Sequence, residues 1–268
     1  MRLIPVPTGS RVRLRNRDAV PPGPMPADIK GATEDMRSKL GDLQAALYAE
    51  GKRALLIVLQ GRDASGKDGT VSHVCSAFNE SGCTVSSFKQ PDAVELAHDY
   101  LWRVHAKVPP RGMVGVFNRS QYEDVLAVRV HRLQPRAVWV KRYAQINAFE
   151  QMLTENGVVI VKFFLHISKA EQRQRLLARA RDPKKNWKIS ASDLADRAVW
   201  HDYTAAYQDV LTRCSTPWAP WYVVPADDKA VRNYLVSGVV LAVLRRMAPQ
   251  FPRGNARLLA RYRRELAT

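Results

Sequence analysis

At 268 residues the chain suits one large α/β domain or two small ones, and one domain is the expectation. Forty-two Lys and Arg against twenty-five Asp and Glu leave a net charge of +17, which points to a polyanionic partner without choosing among nucleic acid, an anionic membrane and an inorganic polyanion. Three cysteines (Cys75, Cys83 and Cys214) without CxxC spacing argue against a disulfide framework or a zinc site, and no apolar run of about 18 residues or secretory h-region is present, so a cytoplasmic protein with no membrane partner is expected.

Residues 1–26 carry Pro5, Pro7, Pro21, Pro22, Pro24 and Pro26 among scattered arginines. Such a composition holds too little apolar surface to order itself, and the segment reads as an arm free to pack on a neighbouring subunit. Ile29, Met36, Leu40, Leu43 and Leu47 recur at helical spacing, predicting an amphipathic helix over 27–50. The run from Ala54, dominated by Leu, Ile and Val, reads as a parallel strand buried on both faces and ends at Gly61.

The turn after that strand carries chemistry. Gly61, four residues, Gly66 and Lys67 have the spacing of a P-loop, in which glycines let successive N–H groups point inward and the next helix offers its N-terminus to an anion. The position where Ser or Thr would meet magnesium holds Asp68 instead, with Gly69 and Thr70 beyond it. A carboxylate inside a phosphate-binding turn makes sense when a cation neutralises it, so Asp63 is the first candidate ligand for magnesium, or manganese in its place, and Asp68 the second. Gly61, Ala64, Ser65, Gly66, Asp68, Gly69 and Thr70 form the expected phosphate cradle around Lys67.

Farther along, 84–88 reads as a short strand, and Leu96, Tyr100, Leu101 and Val104 as a helical pattern. Met113 to Phe117 is a second buried strand, and polar residues erupt where it stops, from Asn118 to Asp124. A P-loop fold keeps its second magnesium-handling group there; Asn118 can orient a water but carries no charge, and Arg119 offers a planar donor fork to phosphate. A helix over 137–153 and a β-branched strand over 157–167 precede a basic stretch, 168–190, with Arg173, Arg175, Arg179, Arg181, Lys184, Lys185 and Lys188. After a strand end in a phosphoryl-transfer fold, that stretch reads as a lid, with Arg175, Arg179, Lys184, Lys185 and Lys188 as candidates for binding phosphate or a polyanion. Asp193, Asp202 and Tyr203 fall in one helix after the lid; 222–225 is a last strand, 235–244 an apolar helix and 251–268 a basic tail.

GRDASGKDGT resembles the modified P-loop of the polyphosphate kinase 2 family, whose fold is similar to that of thymidylate kinases. The resemblance spans about Ile29 to Arg246 and implies a three-layer P-loop kinase domain over 27–250, a mostly parallel sheet flanked by helices with a helical lid. FNRSQYEDVLAVRVH is similar to the form of the second motif in class III members, which phosphorylate both AMP and ADP. By that likeness Lys89, Asn118, Arg119, Glu123, Asp124 and Arg129 are nucleotide-binding candidates, and Asp63, Lys67 and Arg119 the catalytic ones. The implied substrates are inorganic polyphosphate and AMP, ADP or ATP, with either direction open, and a homo-oligomer is expected. An ATP-dependent nucleotide or small-molecule kinase would need the same parts. A nucleic-acid-binding regulator with a vestigial P-loop is the remaining alternative, although no recognition-helix or aromatic RNA-binding motif is present.

Overall fold

The computed structural model describes residues 3–267, so Met1, Arg2 and Thr268, at the outer ends of the expected arm and tail, lie outside the described residues. A long helix, α1 (Ile29–Glu50), starts where Asp28 accepts from the Gly31 amide and stops at Gly51 in the left-handed conformation. After it come β1 (Ala54–Gly61), α2 (Lys67–Cys75), β2 (Cys83–Ser87), α3 (Ala93–Leu96), α4 (Trp102–His105), β3 (Val114–Asn118) and α5 (Ala127–Val130). The chain continues with α6 (Arg136–Glu155), β4 (Val158–His166), α7 (Lys169–Arg181), α8 (Ala191–Ala198), α9 (Trp200–Cys214), β5 (Trp221–Pro225), α10 (Lys229–Met247) and α11 (Ala256–Glu265).

The five strands form one parallel sheet in the order β2-β3-β1-β4-β5, with Leu55 opposite Val114 and Val159, and Lys162 opposite Trp221. Strand alternation divides the core. Leu55, Ile57 and Leu59 of β1 face the layer of α1, α2 and α10, while Leu56 and Val58 face that of α6 and α9, where Ile146, Tyr207, Val210 and Leu211 pack. β1 lies buried along its whole length at the centre of the sheet, so its C-terminal end opens onto the crevice where ligands bind in such folds.

Three local expectations change. The pattern around Leu96 to Val104 breaks into α3 and α4, because the Asp99 carboxylate takes the Leu101 amide and offers the backbone an alternative to a continuous helix. The helix after the lid is also two helices, α8 and α9, meeting at a bend on Val199. The arm is ordered against its own chain. Leu3 and Met25 join one side of the core and Val6, Val12 and Leu14 the other, and the backbone is bonded as well: Val6 N–H donates to Trp221 O at 2.8 Å, Ser215 Oγ to Val6 O, Val12 N–H to Thr212 Oγ1, Leu14 N–H to Gln208 Oε1, and the His166 ring to Arg15 O. The tail contains α11, whose Leu258, Leu259 and Tyr262 stay exposed. Among the described residues no helix is long and apolar enough to cross a membrane.

Candidate active site

The P-loop runs from the end of β1 to the start of α2. Gly61 has φ +159°, and a Cβ there would meet Leu165 O at 2.8 Å and Ser65 Oγ at 2.6 Å, so the close approach of β1 to β4 demands glycine. Gly66, the N-cap of α2, has φ +99°, and any side chain on it would run into the Arg232 guanidinium. Inside this turn Lys67 is buried and donates to Gly61 O at 2.7 Å and Arg62 O at 3.1 Å. Burial, and after it the charge of Arg119, brings the ammonium down to about 8.

Asp63 and Arg119 meet across the crevice, Arg119 Nη2 donating to Asp63 Oδ1 at 2.7 Å. Burial pushes Asp63 up, but Lys67 and Arg119 outweigh it and hold the carboxyl below its ordinary value. Asp196, on α8, hydrogen-bonds the same carboxylate; burial and the charge of Asp63 raise it above its ordinary value, opposed by His131 2.8 Å away. Arg119 itself has φ +65° just past β3, its amide donating to Leu59 O. A backbone state of that kind costs on the order of 1–3 kcal/mol and persists where the surroundings over-determine it.

Two concavities share these residues. A small pocket is walled by Gly61, Arg62, Asp63, Arg119, Glu123, Gln172, Asp196, Tyr203 and Tyr207. Beside it lies an open cleft of about 920 Å³, floored by the P-loop and roofed by the lid, with nine cationic side chains against three carboxylates. The lid supplies Arg175, Arg179, Lys185 and Lys188, β2 and β3 lead to Lys89, Asn118 and Arg119, and α10 adds Lys229 and Arg232. Asn118 Nδ2 donates to Asp68 Oδ1 at 2.9 Å, with Lys188 3.8 Å from the other oxygen, so Asp68 forms part of the rim.

Several expected site residues are placed differently. Thr70 is fully buried and turns its hydroxyl back onto Gly66 O, within α2, which removes it from the cradle surface. Ser65 is buried as well, its hydroxyl without a partner. Arg175 lines the cleft, but its donors are taken by the carbonyls of Ala64, Ser65, Ala226 and Asp227 and by Glu171; it clamps the P-loop backbone instead of presenting itself to phosphate. Arg129 pairs with Asp209 at 2.6 Å and lies over the Trp139 ring, and it lines neither concavity. Asp124 pairs with Arg142, and burial lifts it to about 6. Lys184 lines neither concavity; its backbone binds Asp182 and Trp187.

Other residues of the site escaped the motifs. Arg62 stacks 3.8 Å from the centre of the Trp200 ring, donates to Trp200 O and Thr204 Oγ1, and is lowered by burial to about 10. Arg232 is 3% exposed, lies against Gly66 and Gly69, and is lowered to about 10 by burial and then by Arg175. Among the described residues neither arginine has a carboxylate within 4 Å, an arrangement that favours an anionic ligand. Arg62 lay inside the P-loop motif as an apparent spacer, and Arg232 three residues before the stretch that reads as an apolar helix.

Residues 27–252 match the family model for polyphosphate kinase 2. The chain is 51% identical over 217 residues to the AMP/ADP-polyphosphate phosphotransferase of Meiothermus ruber, covering 81% of each chain. It is 50% identical over 226 residues to the ADP-polyphosphate phosphotransferase of Rhodopseudomonas palustris, covering 80% of this chain and 78% of the relative. The crystal structure of polyphosphate kinase 2 from Arthrobacter aurescens TC1 superposes with a TM-score of 0.90 at 39% identity, over 100% of this chain and 99% of that one. A P-loop on the central strand, a cationic cleft under a lid and a family match over most of the chain agree, and this chain belongs to the polyphosphate kinase 2 family.

Proposed function

We propose that the protein transfers phosphate from the end of an inorganic polyphosphate chain to AMP and ADP, forming ADP and ATP. The observation that carries this reading is the cleft: a groove of about 920 Å³, rich in cations, ends on the P-loop and has room for a chain of phosphates. The two phosphotransferases quoted above are named for ADP, and that of Meiothermus ruber for AMP as well. The acceptor needs no strong base, because a nucleotide phosphate with a second pKa near 6 is already largely ionised at neutral pH.

The chain's own residues divide the work. Lys67 and the loop amides hold the phosphate next to transfer, Arg119 faces the charge that develops on it, and Arg179, Lys185, Lys188 and Arg232 retain the polyanion. The small pocket, about 20 Å³ beside Glu123, Tyr203 and Tyr207, has room for little more than a water next to Arg119. Asp63, kept ionised by Lys67 and Arg119 and open to both concavities, fits as the residue that would hold magnesium, with Asp68 on the rim as a second oxygen donor. A bound divalent ion would neutralise phosphate charge there. A cytoplasmic location suits its three free cysteines, which stay reduced there.

The test is purified protein with magnesium, long-chain polyphosphate and AMP, with no ATP added. ADP followed by ATP is the expected time course. ADP used but AMP refused would remove AMP from the reading; no transfer to either, with ATP phosphorylating an acceptor under the same conditions, would replace it with an ordinary kinase.

A further inference from the structure

Lys162 stands in the middle of β4 and Glu150 on α6, both 0% exposed, and the two form an ion pair. Burial pushes Glu150 up and Lys162 down, so each charge depends on the other. A pair taken wholly out of water gives little net stability over apolar side chains of equal volume, so α6 does not need it to pack on β4.

Its hydrogen bonds say what it fixes. Glu150 Oε1 accepts from Gln121 Nε2 at 3.0 Å and from the Tyr122 hydroxyl at 2.8 Å. Lys162 Nζ donates to the Tyr122 hydroxyl at 2.7 Å and to Cys214 O at 2.8 Å, at the end of α9. Gln121 and Tyr122 open the turn Gln121–Asp124, which comes two residues after Arg119 and carries Glu123. The Tyr122 ring packs edge-on against Trp221, which anchors the turn to β5 as well. Arg119 is held at φ +65° directly before this anchorage, 2.7 Å from Asp63 and 3.6 Å from Glu123.

We propose that Glu150, Lys162 and Tyr122 are positioning residues, a buried polar anchor that holds the turn after β3 so that Arg119 and Glu123 face the P-loop. The proposal rests on the reading of Arg119 as a transfer residue, and its test separates the two. In the double variant Glu150→Leu/Lys162→Met, apolar volume replaces the pair but the Tyr122 hydroxyl, Gln121 Nε2 and Cys214 O lose partners, so the chain should stay folded with a melting temperature lowered by no more than about 5 °C. The amides of residues 119–124 should nevertheless exchange with solvent about tenfold faster, with β1 and β4 unchanged, a readout that needs no substrate. Turnover should fall roughly tenfold to a hundredfold, with the KM for polyphosphate nearly constant. Tyr122→Phe, which keeps the ring on Trp221 and removes only the hydroxyl, should reproduce a smaller share of both effects. Unchanged exchange at 119–124 in the double variant would overturn the anchor. Faster exchange with undiminished turnover would instead overturn the catalytic reading of Arg119.

Discussion

Arg119 and Asp63 are 56 residues apart in the chain and 2.7 Å apart in space, one at the end of β3 and the other in the turn after β1. Neighbouring strands of a parallel sheet bring their C-terminal ends together, and Leu59 lies opposite Asn118, so the acid and the arginine extend from adjacent strand ends. Each steadies the other: the guanidinium, after Lys67, holds Asp63 below its ordinary value against the effect of burial, and Asp63 keeps the guanidinium turned into the crevice.

Asp63→Asn should therefore lower turnover by roughly 10² to 10³, because the amide can still accept from Arg119 but cannot neutralise a divalent cation. The fold should survive, with a melting temperature within about 3 °C of the wild type. Turnover under saturating substrate and a thermal melt check both halves. Near-normal turnover would take Asp63 out of the mechanism.

Lys67 sets a pH limit. Its ammonium is lowered to about 8 by burial and by Arg119, and only the charged form holds phosphate. In the free protein that charge is complete well below pH 8 and is lost as pH rises through it. Affinity for polyphosphate should accordingly fall above about pH 8, approaching tenfold per unit. Titration calorimetry at constant ionic strength from about pH 7 to about pH 9.5 reads this directly. Lys67→Met should bind weakly and without that slope; a wild-type protein with no slope would contradict the assignment.

Arg232 separates binding from stability. Its guanidinium is buried next to Arg175, and removing it relieves a repulsion. Arg232→Met should leave the melting temperature equal or higher, yet raise the KM for polyphosphate by about tenfold, the weight of one buried charge-assisted contact. Loss of stability with an unchanged KM would make Arg232 a packing residue.

Arg129 serves as the contrast. Committed to Asp209 and the Trp139 ring, it should tolerate Arg129→Ala with nucleotide KM values within about twofold, at a cost of about 1 kcal/mol in stability. A tenfold rise in the KM for AMP would return it to the site.

The features legible in the residues alone are those set by local physics. The apolar run before Gly61, the P-loop spacing and the polar burst at Asn118 each sit within a few residues of the chemistry they announce, and all three lead to the crevice at the end of β1. Arg232 could not be found that way, since nothing between Lys229 and Met247 shows that its one inward arginine lands on Gly66, on another element of the fold. Asp196 acquires its role only from a contact with Asp63 made through the fold of the lid. Arg175 and Thr70 carried the right chemistry for phosphate, but hydrogen bonds to the loop's own carbonyls claim them. The proline-rich segment was misleading for a related reason: its order depends on partners more than 150 residues away.

That segment also treats the two margins of the sheet unequally. β5 is an outer strand, and Val6 takes up the Trp221 carbonyl there, while the opposite margin, β2, leaves Thr84 and Val85 open to water. The family match starts at residue 27, beyond the segment. A chain trimmed to that match would keep every group of the crevice and still bare a second strand margin, an invitation to intermolecular pairing. The boundary of what reacts and the boundary of what remains monodisperse therefore fall at different residues.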